Sequence, residues 1–184
     1  MLWRGIIFLV ATILLAYLSR SSLRRPRSHG FFRFWAWETI VAMFLCNVAW
    51  WFHDPLAWNQ LIAWLLLAVC LVPLIWGVVL LRRLGKPAEQ RPSDDSLVAF
   101  EKTTQLVTSG IYRYIRHPLY SSLLLLTWGI FFKQPSWVAG SLGLAATVLL
   151  WLTALADEAE CAAFFGEEYV RYKSRTRRFI PFLL

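Results

Sequence analysis

The stretch that decides the fold is "GIYRYIRHPLYSSLLLLTWGIFF", Gly110–Phe132, in which a polar segment runs directly into an apolar one. The polar part gathers arginines, tyrosines and a His-Pro pair. Proline has a fixed φ and no N–H group, and both properties suit the first position of a helix. The sequence therefore predicts a helix that begins at Pro118, with His117 as its N-cap.

The composition indicates that this helix lies in a membrane. Of the 184 residues, 58% are hydrophobic, and the mean hydropathy is +0.52. Because soluble domains are only about 45–50% apolar, we predict an all-α polytopic membrane protein that forms one domain over residues 1–184. Its predicted parts are three N-terminal spans in 1–81, a cytoplasmic loop in 82–117, and two further spans with a C-terminal segment in 118–184.

Apolar segments at five places are candidates for the spans. A spanning helix needs about 20 residues, and the fourth segment is shorter than that. It can still span if Pro118 starts it and Lys133 extends its amino group to the surface, or it can form a helical hairpin with the fifth segment. The predicted spans are Leu2–Leu18, Phe34–Phe52, Leu61–Leu81, Leu119–Phe132 and Trp137–Ala156.

The basic residues predict the orientation in the membrane. All 19 of them except Arg4 and Lys133 follow the first, third or fifth predicted span. Because cytoplasmic loops are enriched in lysine and arginine, we expect the N-terminus outside and the C-terminus in the cytoplasm, in an inner or plasma membrane. The net charge of +8 then follows from topology, and we expect no nucleic-acid partner.

The predicted start of the helix at Pro118 is a candidate anion site. The free N–H groups of its first turn, among them those of Leu119 and Tyr120, carry partial positive charge, and Arg116 adds a formal charge. A carboxylate or phosphate is the ligand that suits this junction. The alternative is that Arg116 and His117 only anchor the span at the lipid headgroups.

Acidic residues end the last apolar run at the same predicted membrane depth. Asp157 and Glu158 lie there, with Glu160 one turn further on. In one interpretation they pair with nearby arginines, an arrangement that contributes little energy at a surface. Alternatively, they bind hydroxyl or ammonium groups of a ligand whose own carboxylate lies at Arg116 and the start of the helix, so that His117 and Glu158 hold opposite ends of the ligand.

Two motifs resemble those of a known superfamily. "LVTSGIYRYIRHPLY" and, about forty residues on, "DEAECAAFFGEEYVRYKSRTRRFIP" are similar to the isoprenylcysteine carboxyl methyltransferase and phospholipid methyltransferase superfamily. Its signatures are a Gly-x-Tyr-x-x-x-Arg-His-Pro-x-Tyr run, and a Glu-Glu-x-x-Leu run followed by Phe-Gly-x-x-Tyr. The resemblance covers Gln105–Pro181. This chain has Asp157 and Cys161 where the family has glutamate and leucine, and Thr153 where the prenylcysteine enzymes have arginine.

The resemblance implies an integral membrane methyltransferase that uses S-adenosylmethionine, with the cofactor at the cytoplasmic ends of the last spans. Leu106 and Val107 would line the adenine side, and the acidic pair would bind hydroxyl or amino groups. No metal site is expected, because the three cysteines lack metal-ligand spacing. The implied cofactor-binding residues are Gln105, Leu106, Val107, Gly110, Tyr112, His117, Pro118, Leu119, Tyr120, Asp157 and Glu158.

Catalysis of methyl transfer depends on placing the nucleophile and excluding water. Arg116 and Glu38 are the expected catalytic residues. Glu38 lies in the second predicted span, where an ionisable group is costly and usually functional. The alternative to a catalytic role is that Glu38 extends its carboxylate to the membrane surface or pairs with Arg33.

The expected partners are membrane lipids and a lipophilic or lipidated acceptor: an isoprenoid carboxylate, a lipid amine or a small thiol. A non-catalytic accessory protein with the same fold is the alternative function.

Overall fold

The computed structural model describes residues 2–86 and 103–181, which form a bundle of α-helices. The predicted helical architecture is confirmed for these ranges. Short 3₁₀ turns lie at Val48–Trp50 and Gly110–Arg113. The helices are α1 (Leu2–Leu18), α2 (Arg20–Leu23), α3 (His29–Asn47), α4 (Trp58–Val69), α5 (Leu71–Leu84), α6 (Pro118–Lys133), α7 (Trp137–Phe165) and α8 (Glu167–Arg175).

Three helical runs in the described ranges are long and apolar enough to cross a membrane. They are His29–Trp50, Trp58–Leu84 and Trp137–Phe165, of 22, 27 and 29 residues. The second run comprises α4 and α5 and is interrupted at Cys70, because Pro73 has no N–H to donate to the carbonyl four residues earlier. The first and fourth predicted spans correspond to α1 and α6, of 17 and 16 residues, so five spans stay a prediction.

Polar contacts show that α6 connects the same two ends of the bundle as α3. At one end, called the His117 end, α3 and α6 begin and α7 reaches its last turns. There His29 of α3 contacts Glu160 of α7. At the other end, called the Lys133 end, Asn47 of α3 donates to the Ile130 carbonyl of α6. With a rise of 1.5 Å per residue, α6 is about 24 Å long.

The Lys133 end contains a buried polar network. The Lys133 side chain is fully buried and donates to Gln60 Oε1 over 2.9 Å, with Nζ 3.1 Å from the ring centroid of Trp64. Gln60 in turn donates to the carbonyls of Trp50 and Lys133. The alternative in which Lys133 extends its amino group to the surface does not describe the structure, because acceptors and an aromatic face are available inside the bundle.

Small residues of α7 allow α3 and α6 to pack closely against it. Ala139, Ala146 and Ala154 are fully buried, and Met43 of α3 packs in the same cluster as Ala139 and Ala146. A Cβ added at Gly143 would lie 3.9 Å from Met43 Sδ. Helices in membranes associate through such close contacts. This packing positions the ends of α6 and α7 side by side at the His117 end.

Candidate functional site

A cavity of about 110 Å³ opens at the His117 end, between α5, the chain that leads into α6, α7 and α8. It brings together most of the predicted cofactor residues. Those that line it are Leu106, Val107, Tyr112, His117, Pro118, Leu119, Tyr120 and Asp157, together with Arg116. Glu160, which follows the acidic pair, also lines the cavity. Side chains that the sequence did not single out as binding residues complete much of the wall, including Leu81, Cys161, Phe165, Tyr169 and Tyr172.

Gly110 shapes the wall without lining it. Its φ of +61° is in the region that favours glycine, and a Cβ there would lie only 2.6 Å from Leu80 Cδ1. Glycine therefore lets the 3₁₀ turn Gly110–Arg113 approach α5. The turn presents buried Tyr112 to the cavity, and Tyr172 of α8 donates to the Tyr112 carbonyl over 2.7 Å.

The segment after α8 pairs with the chain that leads into α6. The N–H groups of Arg116 and His117 donate to the carbonyls of Arg177 and Arg178 over 2.8 and 3.1 Å. Beyond this pairing, Ser121 Oγ donates to the Phe179 carbonyl over 2.8 Å. His117 is thus held by backbone bonds on the side that precedes the helix, and α6 begins at Pro118 as predicted, with His117 as its N-cap.

His117 lies between two carboxylates. Its ring stacks on Tyr120 with centroids 5.2 Å apart, and its Nδ1 lies 3.4 Å from Asp157 Oδ2, which also accepts from the Tyr120 hydroxyl. Nε2 is 3.4 Å from Glu158 Oε1 but makes no hydrogen bond within the described residues. Burial opposes protonation, but the nearby carboxylates of Asp157 and Glu158 outweigh it and raise the pKa of His117.

Glu158 is the centre of an ion cluster rather than part of the cavity lining. Its carboxylate receives Arg116 Nη2 over 2.9 Å, Arg178 Nε over 2.8 Å and Lys173 Nζ over 2.8 Å. Arg116 also donates through Nη1 to the carbonyls of Lys173 and Thr176. The alternative in which an acidic residue pairs with arginine therefore describes Glu158, whereas Asp157 is the member of the pair that faces the cavity.

Two other expected site residues lie away from the cavity lining. Glu38 is buried in α3, and its Oε2 accepts from Thr12 Oγ1 of α1 over 2.8 Å. Gln105 is exposed, and its N–H donates to the Gly85 carbonyl over 3.2 Å. Leu97 and Phe100, which the sequence allows on a membrane surface, lie outside the described residues.

The sequence did not reveal the contact between His29 and Glu160. His29 begins α3 and is fully buried, and its N–H and Nδ1 contact the two carboxylate oxygens of Glu160 at 2.9 and 2.5 Å. The tyrosines of α8 were also missed; burial raises the pKa of both Tyr169 and Tyr172, so their hydroxyls stay protonated.

A basic groove adjoins the cavity. It shares Leu106 and Tyr172 with the cavity wall and is also lined by Arg113, Arg171 and Arg175. Arg113, which lies in the 3₁₀ turn before α6, therefore faces this neighbouring groove.

The cavity chemistry suits a ligand with an apolar or aromatic part and cationic groups. Leu106 and Val107 supply an apolar wall, and Tyr169 and Tyr172 add aromatic side chains. Carboxylates pair with ammonium or hydroxyl groups, and tyrosine faces stabilise cations. His117 Nε2 is a buried polar atom without a hydrogen bond among the described residues. These groups fit the aromatic base, the hydroxyl groups, the ammonium and the sulfonium of S-adenosylmethionine.

Comparisons with known proteins agree with the motifs. Residues 95–167 match the model of the phospholipid methyltransferase family. This chain is 32% identical to methanethiol S-methyltransferase 1 of Bradyrhizobium diazoefficiens over 76 residues, which are 40% of its length. Over 83 residues, 44% of this chain, it is 35% identical to the human protein-S-isoprenylcysteine O-methyltransferase.

These matches are confined to part of each protein. The chain spans 25% of the length of the bacterial relative and 29% of the length of the human one. No solved structure matches. The matches confirm the resemblance to the isoprenylcysteine carboxyl methyltransferase and phospholipid methyltransferase superfamily, and the family match includes the segments that form most of the cavity wall.

Proposed function

We propose that this chain is an integral membrane methyltransferase that transfers a methyl group from S-adenosylmethionine to a lipophilic acceptor at the cytoplasmic surface of the membrane. The observation that carries the proposal is the meeting of His117, Tyr120 and Asp157 at one cavity wall. These residues come from two separate signature motifs of the superfamily. Both motifs therefore contribute to the same concave site, as a shared ligand requires.

The chain's own residues would bind and orient the cofactor, which supplies an electrophilic methyl group when bound. Leu106 and Val107 would contact the adenine, because they form an apolar part of the wall. Asp157 would accept hydrogen bonds from hydroxyl or amino groups, and the adjoining His117 holds this carboxylate in place. Tight placement of this kind can account for much of the rate of an in-line displacement.

We propose that Arg116, which we expected from the sequence to be catalytic, is a positioning residue. Its guanidinium is occupied by Glu158 and by carbonyls at the end of α8. It ties the start of α6 to α7 and α8, which form three sides of the cavity. Its effect on methyl transfer would therefore come through the geometry of the wall.

The acceptor would enter from the lipid. Much of the outer surface is apolar, including Ile13, Leu65 and Val138, whose exposed fractions are 61%, 63% and 60%. An apolar surface of this kind suits contact with lipid tails. A lipid-soluble acceptor can then diffuse laterally to the site, while the polar cofactor arrives from the cytoplasm. An isoprenoid carboxylate, a lipid amine and a small thiol all suit this route.

A binding and turnover experiment tests the proposal. S-adenosylmethionine and its demethylated product should each raise the melting temperature of the purified protein in detergent, because a ligand that binds only the folded state stabilises it. Protein in vesicles with methyl-labelled cofactor and a total lipid extract should then give a labelled lipid. Asp157→Asn should lose both effects. Binding without label transfer would favour the accessory-protein alternative, and no shift with either ligand would refute the cofactor site.

A further inference from the structure

Glu160 is a second carboxylate on the cavity wall. It lies one turn after Asp157 on α7, so both side chains project from the same face of the helix, and both line the cavity. Asp157 belongs to the signature motif, whereas Glu160 occupies a variable position in it. The two carboxylates contact different residues: Asp157 contacts His117 and Tyr120, and Glu160 contacts His29.

His29 fixes the position of the Glu160 side chain. Its backbone N–H donates to Oε1 over 2.9 Å, while Nδ1 lies 2.5 Å from Oε2, so both carboxylate oxygens are held from one residue. The start of α3 is itself fixed, because Ser28 caps the helix by accepting from the Phe31 N–H. Glu160 keeps a 32% exposed side chain, whereas His29 is 0% exposed.

The burial of His29 has a cost that this contact helps to offset. Its Nε2 has no hydrogen-bond partner among the residues that the structure describes. Burying an unpaired polar atom is unfavourable, so the ring's hydrogen bond to Glu160 is the interaction that supports its position. This contact joins residues 131 positions apart in the chain and connects α3 to the cavity wall.

Beyond its contact with His29, Glu160 finds little compensation for its charge among the lysine and arginine residues of the described cavity lining. Within the described part of the cavity lining, Arg116 is the sole lysine or arginine, and its guanidinium is bound to Glu158. A carboxylate held at a cavity wall in this way is suited to a ligand's positive charge, because charge-assisted hydrogen bonds are about twice as strong as neutral ones.

We propose that Glu160 is a further ligand-binding residue, which contacts a cationic group of the cavity ligand, and that His29 is a positioning residue that acts through Glu160. This inference rests on the proposed function, in which the ligand carries an ammonium and a sulfonium. It assigns the charged end of the ligand to the α3 side of the cavity, where His29 supports Glu160.

Binding titrations with two ligands test this assignment. The probes are S-adenosylmethionine and 5′-methylthioadenosine, which keeps the nucleoside but is a neutral thioether that lacks the sulfonium charge and the amino-acid end with its ammonium and carboxylate groups. Glu160→Gln and His29→Ala should each weaken the binding of S-adenosylmethionine about 10- to 100-fold, the effect typical of losing a hydrogen bond to a charged group. Binding of 5′-methylthioadenosine should stay unchanged, which also reports that the cavity is intact.

Two further variants separate positioning from a general structural role. His29→Asn keeps a donor near Nδ1 and should restore most of the affinity lost in His29→Ala. The double variant His29→Ala/Glu160→Gln should lose no more affinity than Glu160→Gln alone, because His29 acts through Glu160. Unchanged affinity for S-adenosylmethionine, equal losses for both ligands, or additive losses in the double variant would overturn the inference. If the unaltered protein binds neither ligand, the proposed function itself fails.

Discussion

Arg116 and Glu158 form an ion pair in which Nη2 and Oε1 are 2.9 Å apart and the side chains are only 7% and 2% exposed. The pair joins the chain before α6 to α7. Arg178 and Lys173 contact the same carboxylate, so Glu158 also secures α8 and the segment after it. The sequence allowed Glu158 to hold a ligand, but in the structure its oxygens are occupied by the protein's own cations.

Glu158→Gln should therefore destabilise the protein. Removing one partner of a buried ion pair typically costs about 3–5 kcal/mol, and we expect about 3 kcal/mol because Lys173 is half-exposed. Thermal unfolding followed by tryptophan fluorescence measures the loss. Glu167→Gln, at an exposed position on α8, is the matched control and should change stability by less than about 0.5 kcal/mol. Equal stability of the two variants would show that the cluster contributes little.

Local chemistry predicted several parts of this site. Pro118 starts α6 with His117 as its N-cap, as the missing N–H of proline favours, and the two signature motifs meet at one cavity. The contact of His29 with Glu160 was not predictable, because it depends on how α3 packs against α7 and leaves no local pattern. The burial of Lys133 was missed for the same reason: its acceptor, Gln60, belongs to another helix.

Gly110→Ala should disrupt the cavity wall. An alanine there would combine strain at a positive φ with a contact of 2.6 Å between its Cβ and Leu80 Cδ1. Gly166→Ala is the matched control, because its φ is also positive but nothing lies within 4 Å of the added Cβ. Strain alone costs about 1–3 kcal/mol, so Gly110→Ala should lose more stability than Gly166→Ala and should also weaken cofactor binding. Equal losses in thermal unfolding would show that the contact with Leu80 is relieved.

The raised pKa of His117 predicts a pH-dependent contribution to stability. Because its folded-state pKa is above the unfolded value of about 6.5, the folded protein binds the proton more tightly. The stabilisation is fully present below pH of about 6.5 and is lost as pH rises through the folded-state pKa. The melting-temperature difference between the unaltered protein and His117→Gln should therefore shrink from pH 6 towards pH 9. A difference that grows with pH would contradict the prediction.

The distribution of basic residues predicts that the His117 end faces the cytoplasm. Enzyme reporters that are active only in the cytoplasm, fused at Ser93 or after Leu184, should be active. A reporter that requires export should be active when fused before Met1. Activity of the exported reporter at Ser93 would place the cavity on the wrong side for a cytoplasmic cofactor.

Glu38 remains the predicted residue for contact with the acceptor, and its position allows a test that separates acceptor from cofactor. It is buried in α3 against Thr12 and is not part of the cavity lining. Glu38→Gln should therefore leave the affinity for S-adenosylmethionine unchanged. If Glu38 contacts or deprotonates the acceptor, the rate of label transfer to lipid should fall at least tenfold, by about 1.4 kcal/mol or more. Thr12→Val removes the hydrogen bond to Glu38 but keeps its charge, and it should have a smaller effect. Equal transfer rates in Glu38→Gln and the unaltered protein would leave Glu38 with a structural role between α1 and α3.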